Sequence, residues 1–213
     1  VDDYIDLPHL VGTETVISSG GTAQPVVTPG KVESLRGTDY ATFDGVDDFI
    51  DTNYIAPANF DFTTTISKLD SQRYVLASKW RTIGSQRSWF VRTNTAGDRL
   101  EVYFSFDGVD SSSYVNTNIQ VAQIGPSRSK IRVSFDGTTL SVYQDDVSIY
   151  SKVTGVAPYN STATLQIGDL NNGGQVSNSH IYEFYIAQFG NPNDIEYLFD
   201  ASQSNPGTFI EDT

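Results

Sequence analysis

Cysteine and methionine are both missing from this 213-residue chain, and histidine occurs only twice, as His9 and His180. Without Cys there is no disulfide, no thiolate metal site and no Cys nucleophile. Two histidines exclude a multi-histidine metal cage and leave little for general-base chemistry. Glutamate is scarce too, at 6 of the 26 acids, the other 20 being Asp. Glu is the helix-forming acid, whereas Asp favours turns and caps, so this choice of acid points to a loop-rich chain. No run of about 18 apolar residues is present, so no segment reads as a membrane-spanning helix. Bases number only 13, for a net charge of -13. A charge of that sign repels phosphate backbones and anionic lipid surfaces, so neither nucleic acid nor membrane is an expected partner. Two uses of the acidity stay open: solubility, and the holding of calcium by some of the Asp residues.

What is present suffices for a core. Hydrophobic residues make up 38% of the chain and aromatics 12%, with 12 Tyr and 12 Phe, which excludes global disorder. The length fits one large domain, or one with an appendage. The surplus of bases sits entirely in the middle of the chain: residues 68–152 carry 11 bases and 8 acids, whereas residues 153–213 carry none and 7. That asymmetry predicts one locally basic face. The start at Val1 is acidic, lacks the apolar stretch of a signal peptide, and reads as a processed or truncated product.

Period-two alternation runs through most of the chain after residue 30. It predicts strands at Lys31–Arg36, Tyr40–Phe43, Asp48–Thr52, Phe60–Lys68, Arg73–Trp80, Arg87–Thr93, Asp98–Phe106, Ser112–Ile119, Lys130–Phe135, Leu140–Tyr143, Val147–Val153, Ala163–Ile167 and Ser179–Phe189. Short strands separated by Gly- or Asp-bearing turns point to a two-sheet sandwich or a barrel. The inward positions predict a core of Phe43, Trp89, Leu100, Val102, Phe104, Ile131, Val133, Phe135, Val142, Ile167 and Ile186. One helix is expected at Pro192–Ala201, with Asn191 as N-cap, Pro192 at N1 and an apolar stripe of Ile195, Leu198 and Phe199. Residues 1–30 read as an extended N-terminal arm, rich in Gly, Thr, Ser and Pro from residue 8 onward, and residues 31–213 as the domain proper.

Val46-Asp47-Asp48-Phe49-Ile50-Asp51 repeats Val1-Asp2-Asp3-Tyr4-Ile5-Asp6 with a single change. Residues 1–10 therefore look like the remnant of an earlier copy of the unit, or a strand built to pair like one. Phe-Asp-Gly recurs at Phe43, Phe106 and Phe135, and a good hairpin turn is enough to explain those copies.

Ala41-Thr42-Phe43-Asp44-Gly45-Val46-Asp47-Asp48-Phe49-Ile50 resembles the opening strand pair of laminin-G-like, concanavalin-A-like lectin/glucanase domains. Ile131 to Tyr143 is similar to that family's late hairpin, although Asp145-Asp146 stands where the tip is usually Asn-Gly. Leu165–Gly168 and Ile181–Ala187 look like its closing strands, and Asp194–Phe199 like the short helix that often follows. The resemblance covers roughly residues 31–201 and implies an all-β jelly-roll sandwich of two antiparallel sheets with one short C-terminal helix. Leu76 to Trp80 followed by Gln86 to Trp89 most resembles versions of the domain in bacteriophage virion proteins, such as fibres and decoration proteins.

The fold hosts enzymes and binders alike, so chemistry has to be read from residues. The family's glucanases set carboxylates as Glu-x-Asp-x-(x)-Glu on one strand, and no Glu-x-Asp occurs here. Arg99-Leu100-Glu101-Val102-Tyr103 matches only part of the Arg-x-Glu-x-Arg of jelly-roll alginate lyases, and the Gln-x-His partner is missing. His180 reads as an ordinary strand residue. The chain is therefore read as a non-enzyme that binds carbohydrate. Sugar recognition needs flat aromatic faces with planar hydrogen bonders beside them. Trp80 and Arg81 are expected to be exposed in a polar loop, and Arg92, Tyr103, Arg132 and Tyr143 to share one open sheet face. A solvated face with scattered aromatics is the alternative. Asp44, Asp47 and Asp48 are the candidate ligands of a structural Ca2+, with a plain Asp-Gly turn as the other reading.

These readings combine into a lectin-like jelly roll on a virion surface, with a cell-surface glycan and other virion subunits, or further copies of itself, as partners. The arm at residues 8–30 favours assembly, because an extended segment can add to a neighbour's sheet edge. The alternatives are an accessory carbohydrate-binding domain of a secreted, extracellular polysaccharide-degrading protein, and a purely structural subunit.

Overall fold

Alternating sequence becomes paired strand almost throughout. The computed structural model describes residues 25–27, 40–44, 49–52, 54–109, 113–170, 178–190 and 195–200. They form fourteen strands: β1 (Pro25–Val27), β2 (Ala41–Asp44), β3 (Ile50–Thr52), β4 (Phe60–Lys68), β5 (Val75–Arg81), β6 (Gln86–Thr93), β7 (Arg99–Ser105), β8 (Ser113–Gln120), β9 (Ser129–Phe135), β10 (Thr139–Gln144), β11 (Val147–Val153), β12 (Gln166–Gly168), β13 (Asn178–Gln188) and β14 (Ile195–Asp200). Sheet I has the order β1-β3-β12-β5-β6-β7-β8, and sheet II the order β11-β10-β9-β4-β13-β14. The β2 strand pairs with Asn178–Ile181 of β13, and β14 pairs with Glu183–Ala187 of the same strand. All pairings are antiparallel, and the two sheets form the expected jelly-roll-like sandwich.

The core lies between the sheets, and every residue assigned to it from alternation is buried, from Phe43 through Ile186. Its centre is aromatic. Trp89 of β6 stacks on Phe60 of β4 at 4.1 Å, and Phe62 of β4 stacks on Phe184 of β13 at 5.5 Å. Phe104 packs against Phe135 at 5.0 Å, again across the two sheets. Offset and edge-to-face pairs of this kind add roughly 0.5–1.5 kcal/mol beyond their burial.

One expectation is corrected. Ile195–Asp200, expected within a helix at Pro192–Ala201, is strand β14, with Tyr197 opposite Tyr185 and Phe199 opposite Phe184. The sequence Ile-Glu-Tyr-Leu-Phe-Asp carries both periods, since Ile195, Tyr197 and Phe199 also alternate. A short aromatic and β-branched run is ambiguous locally, and pairing with the long β13 strand settles it. Within the stretch read as an arm, Pro25–Val27 pairs with β3 of the chain's own sheet I. The expected strand Lys31–Arg36 and the repeat at residues 1–6 lie outside the described residues.

Asp residues act as turn formers, as their abundance suggested. Asp136 Oδ1 accepts from the backbone N–H of Thr138 and Thr139 at 2.8 and 2.7 Å. Those donors, Thr139 first, hold its carboxyl below the usual carboxylate range. The β10–β11 tip places Asp145 and Asp146 at φ values of 49° and 66°. Two consecutive left-handed residues define the turn for which Asn-Gly is preferred.

One cation is enclosed on the inward side of sheet I. Lys79 is the cross-strand partner of Trp89 and is fully buried, with its Nζ donating to Asn160 Oδ1 at 3.2 Å. Desolvation lowers its pKa from 10.5 to about 8.

Two measurements follow from this core. Phe104→Ala should cost about 3–5 kcal/mol in denaturant unfolding, from lost transfer energy plus the cavity left behind. A cost below about 1 kcal/mol would contradict the burial. For Lys79, the unfolded chain binds a proton that the folded chain lacks between about pH 8 and 10.5. Stability must therefore rise with pH across that window, the desolvation penalty being fully present below it. The rise should appear as a difference between wild type and Lys79→Met in unfolding at pH 7.5 and pH 10. Parallel profiles for the two proteins would sink the assignment.

Candidate functional site

On β6, the inward Trp89 and Val91 alternate with Phe90 and Arg92 on the opposite side. The cross-strand partners of those two outward residues on β7 are Tyr103 and Glu101. The outer face of sheet I thus carries a compact cluster. Phe90 and Tyr103 stack at 4.4 Å with an interplanar angle of 17°. Trp80 meets Phe90 edge to face at 5.0 Å, and Arg87 lies over the Trp80 ring at 5.9 Å. The Arg92 guanidinium sits 5.3 Å from both the Phe90 and Tyr103 rings and donates to Glu101 Oε2 at 2.6 Å. Three of the residues expected at a sugar site are therefore neighbours here: Trp80, Arg92 and Tyr103.

Most of the cluster is closed, however, although Tyr103 stays half-exposed. Trp80 is 8% exposed, contrary to the expectation of a ring open to solvent. The physical reason is strand length: β5 continues through Arg81, so Trp80 is a strand residue whose ring packs on its neighbours and is not part of a loop. Phe90, Arg92 and Glu101 are buried with it. Only Arg81, at the strand end, is exposed as expected. The Trp80 ring, so largely covered, has little flat surface to offer a sugar.

Arg132 and Tyr143 lie elsewhere. They are cross-strand partners on β9 and β10 and point away from the core on sheet II. The expected single face shared by Arg92, Tyr103, Arg132 and Tyr143 is therefore two faces, one on each side of the sandwich. Strand alternation identifies which side chains point outward, but not which sheet a strand joins. On sheet II the Arg132 guanidinium lies 4.9 Å from the Tyr143 ring centre. Its Nε donates to Asp61 Oδ1 at 2.8 Å, and Nη2 donates to Asp61 Oδ2. Donating to Asp61 favours the protonated form of Arg132 and raises its pKa. The patch is open, the Arg132 side chain being 41% exposed and Asp61 22%.

Asp61 was not singled out from sequence. The available signal was its place between Phe60 and Phe62, which marks an outward acid on an alternating strand; its pairing with β9 had no local trace. A second cluster also escaped notice on sheet II. Tyr40 stacks on His180 at 3.9 Å, and Arg128 covers the Tyr182 ring at 4.0 Å. Burial lowers the pKa of His180 below 6.5, which keeps the imidazole neutral at pH 7. Of the proposed calcium ligands, Asp44 ends β2, while its side chain and both Asp47 and Asp48 lie outside the described residues. Among the described residues, no group of three or more His, Cys, Asp or Glu side chains is arranged to hold a metal ion.

No protein-family model matches the chain, and no curated protein does. Solved structures do match in fold. One is the receptor-binding domain of botulinum neurotoxin mosaic serotype C/D, at TM-score 0.56 and 10% identity, covering 81% of this chain and 46% of that one. A second is domain 4 of AbnA, a GH43 extracellular arabinanase from Geobacillus stearothermophilus, in complex with arabinotriose. There the TM-score is 0.51 and the identity 14%, over 81% of this chain and 80% of that one. A third is Trypanosoma rangeli sialidase in complex with sialic acid, at TM-score 0.53 and 11% identity, covering 80% and 30%. The chain spans less than half the length of the neurotoxin and sialidase chains it matches. At these identities the likeness concerns the fold.

The closed cluster on sheet I makes a direct prediction. Trp80→Ala should lower unfolding stability by on the order of 3 kcal/mol, as a buried aromatic deletion does. An unchanged melting temperature would show that the ring is not packed as described.

Proposed function

We propose that this chain is a non-catalytic, lectin-like carbohydrate-binding domain, and that it contacts sugar through Asp61, Arg132 and Tyr143 on the outer face of sheet II. The observation that carries the reading is the half-open bidentate pair beside an aromatic ring. A planar carboxylate–guanidinium pair offers acceptors and donors in one plane, the arrangement suited to adjacent sugar hydroxyls. The Tyr143 ring supplies an apolar surface for sugar C–H groups. The buried Trp80 cluster, by contrast, serves packing.

Glu101 is poorly placed to act as a catalytic carboxylate. Its carboxylate is buried and tied to Arg92 at 2.6 Å, with Arg73 at 3.9 Å. A carboxylate so held is a poor acid or nucleophile, and two free carboxylates are needed for glycoside hydrolysis. The likeness to an arabinanase domain bound to arabinotriose supports a glycan ligand. This structure is matched over 80% of its own length and belongs to an extracellular enzyme. It therefore favours an accessory domain of a secreted polysaccharide-degrading protein over a virion-surface setting.

A glycan array followed by calorimetry tests the proposal. Arg132→Ala and Tyr143→Ala should each weaken binding at least about tenfold, about 1.4 kcal/mol. Trp80→Phe should leave affinity unchanged. Sugar binding that survives both sheet II substitutions, or hydrolysis that disappears in Glu101→Gln, would overturn the reading.

A further inference from the structure

The register of sheet II extends the patch. Tyr143 on β10 is opposite Arg132 on β9, Arg132 is opposite Thr63 on β4, and Thr63 is opposite Tyr185 on β13. All four are half-exposed, and their chain neighbours Val142, Val133, Phe62 and Ile186 are in the core, so the four share the outer face. They make one continuous row perpendicular to the strands. Three strand spacings of about 4.8 Å separate the ends, roughly 14 Å. A row of that length exceeds one pyranose ring and suits a short run of linked sugars, with a tyrosine at each end and hydrogen bonders between.

The row's charge limits the ligand. Its single cation, Arg132, is neutralised in bidentate fashion by Asp61. Lys130, one step along β9, is paired with Asp146 at 2.9 Å, and Glu183 on β13 accepts from Thr65 Oγ1 at 2.5 Å. No uncompensated base among these groups is left to hold a carboxylated or sulfated sugar. The chain's net charge of -13 adds a repulsion for polyanions.

Resting on the carbohydrate-binding reading above, we infer that the ligand is an uncharged, linear glycan chain laid across the strands of sheet II from Tyr143 to Tyr185. The row recognises an internal stretch of such a chain. A single terminal sugar would not need its length.

The test is calorimetry with size-graded neutral oligosaccharides from arabinan and from β-glucan, beside a matched ladder from polygalacturonate. Affinity for one neutral ladder should rise at least tenfold from the shortest to the longest members. Tyr185→Ala should remove that gain, bringing the longest members down to the affinity of the shortest. Thr63→Lys, at the outward position between Arg132 and Tyr185, should block the longer members even if Tyr185→Ala folds poorly. Affinity independent of length, but still lost in Tyr143→Ala, would overturn this inference and leave the sugar-binding reading standing. Tighter binding of the polygalacturonate ladder would overturn the uncharged-ligand part. No binding to any ladder, or binding indifferent to both Arg132→Ala and Tyr143→Ala, would bring down the underlying reading as well.

Discussion

The stack of Trp89 on Phe60 is the contact on which the rest of the structure depends. It joins β6 of sheet I to β4 of sheet II at 4.1 Å, with both rings fully buried. Because side chains alternate along a strand, placing Trp89 inward sends Phe90 and Arg92 outward, and placing Phe60 and Phe62 inward sends Asp61 and Thr63 outward. A one-residue slip in β4 would bury Asp61 and Thr63 and expose two phenylalanines. The candidate site on sheet II is thus the reverse side of the core's aromatic centre, and its geometry is as fixed as that core.

The strand pattern was legible because the chain obeys period two for long stretches. β4 shows this best, with Phe60, Phe62, Thr64 and Ile66 buried and Asp61, Thr63 and Thr65 half-exposed between them. What local sequence does not carry is partnership. The β4 hydroxyl of Thr64 bonds the carbonyl of Glu183, 119 residues away. Pairings at such separations decide which strands are neighbours, and nothing in either segment names the other. That is why the outward residues of β6, β7, β9 and β10 were identifiable, yet their division between two faces was not. The same gap explains β14: its residues satisfy a helical stripe and a strand alternation equally, and only the presence of β13 beside them selects the strand.

Trp80 illustrates a different shortfall. Its neighbours Lys79 and Arg81 are charged, and a Trp between two bases suggests a loop. Lys79, however, is enclosed on the inward side and Arg81 ends the strand, so the charged flanks reveal nothing about the ring. The β5–β6 pairing carries two irregularities, between Val75 and Ala77 and between Lys79 and Trp80. The first allows Leu76 and Ala77 in succession to join the core, so simple alternation misassigns one face of β5.

Several bases of the middle segment have partners within the domain. Arg92 is spent on Glu101, Arg132 on Asp61 and Lys130 on Asp146. Lys68 donates to the carbonyls of Asp70 and Thr95 at 2.6 and 3.2 Å. These bases are divided between the two sheets, and the buried members are compensated where they sit, because an unpaired charge in low dielectric is costly. Around Arg132 the pairing with Asp61 leaves shape, a ring face and hydrogen-bond geometry as what the outer face of sheet II presents. Under the carbohydrate-binding proposal, such a patch would discriminate among uncharged ligands by the placement of hydroxyls.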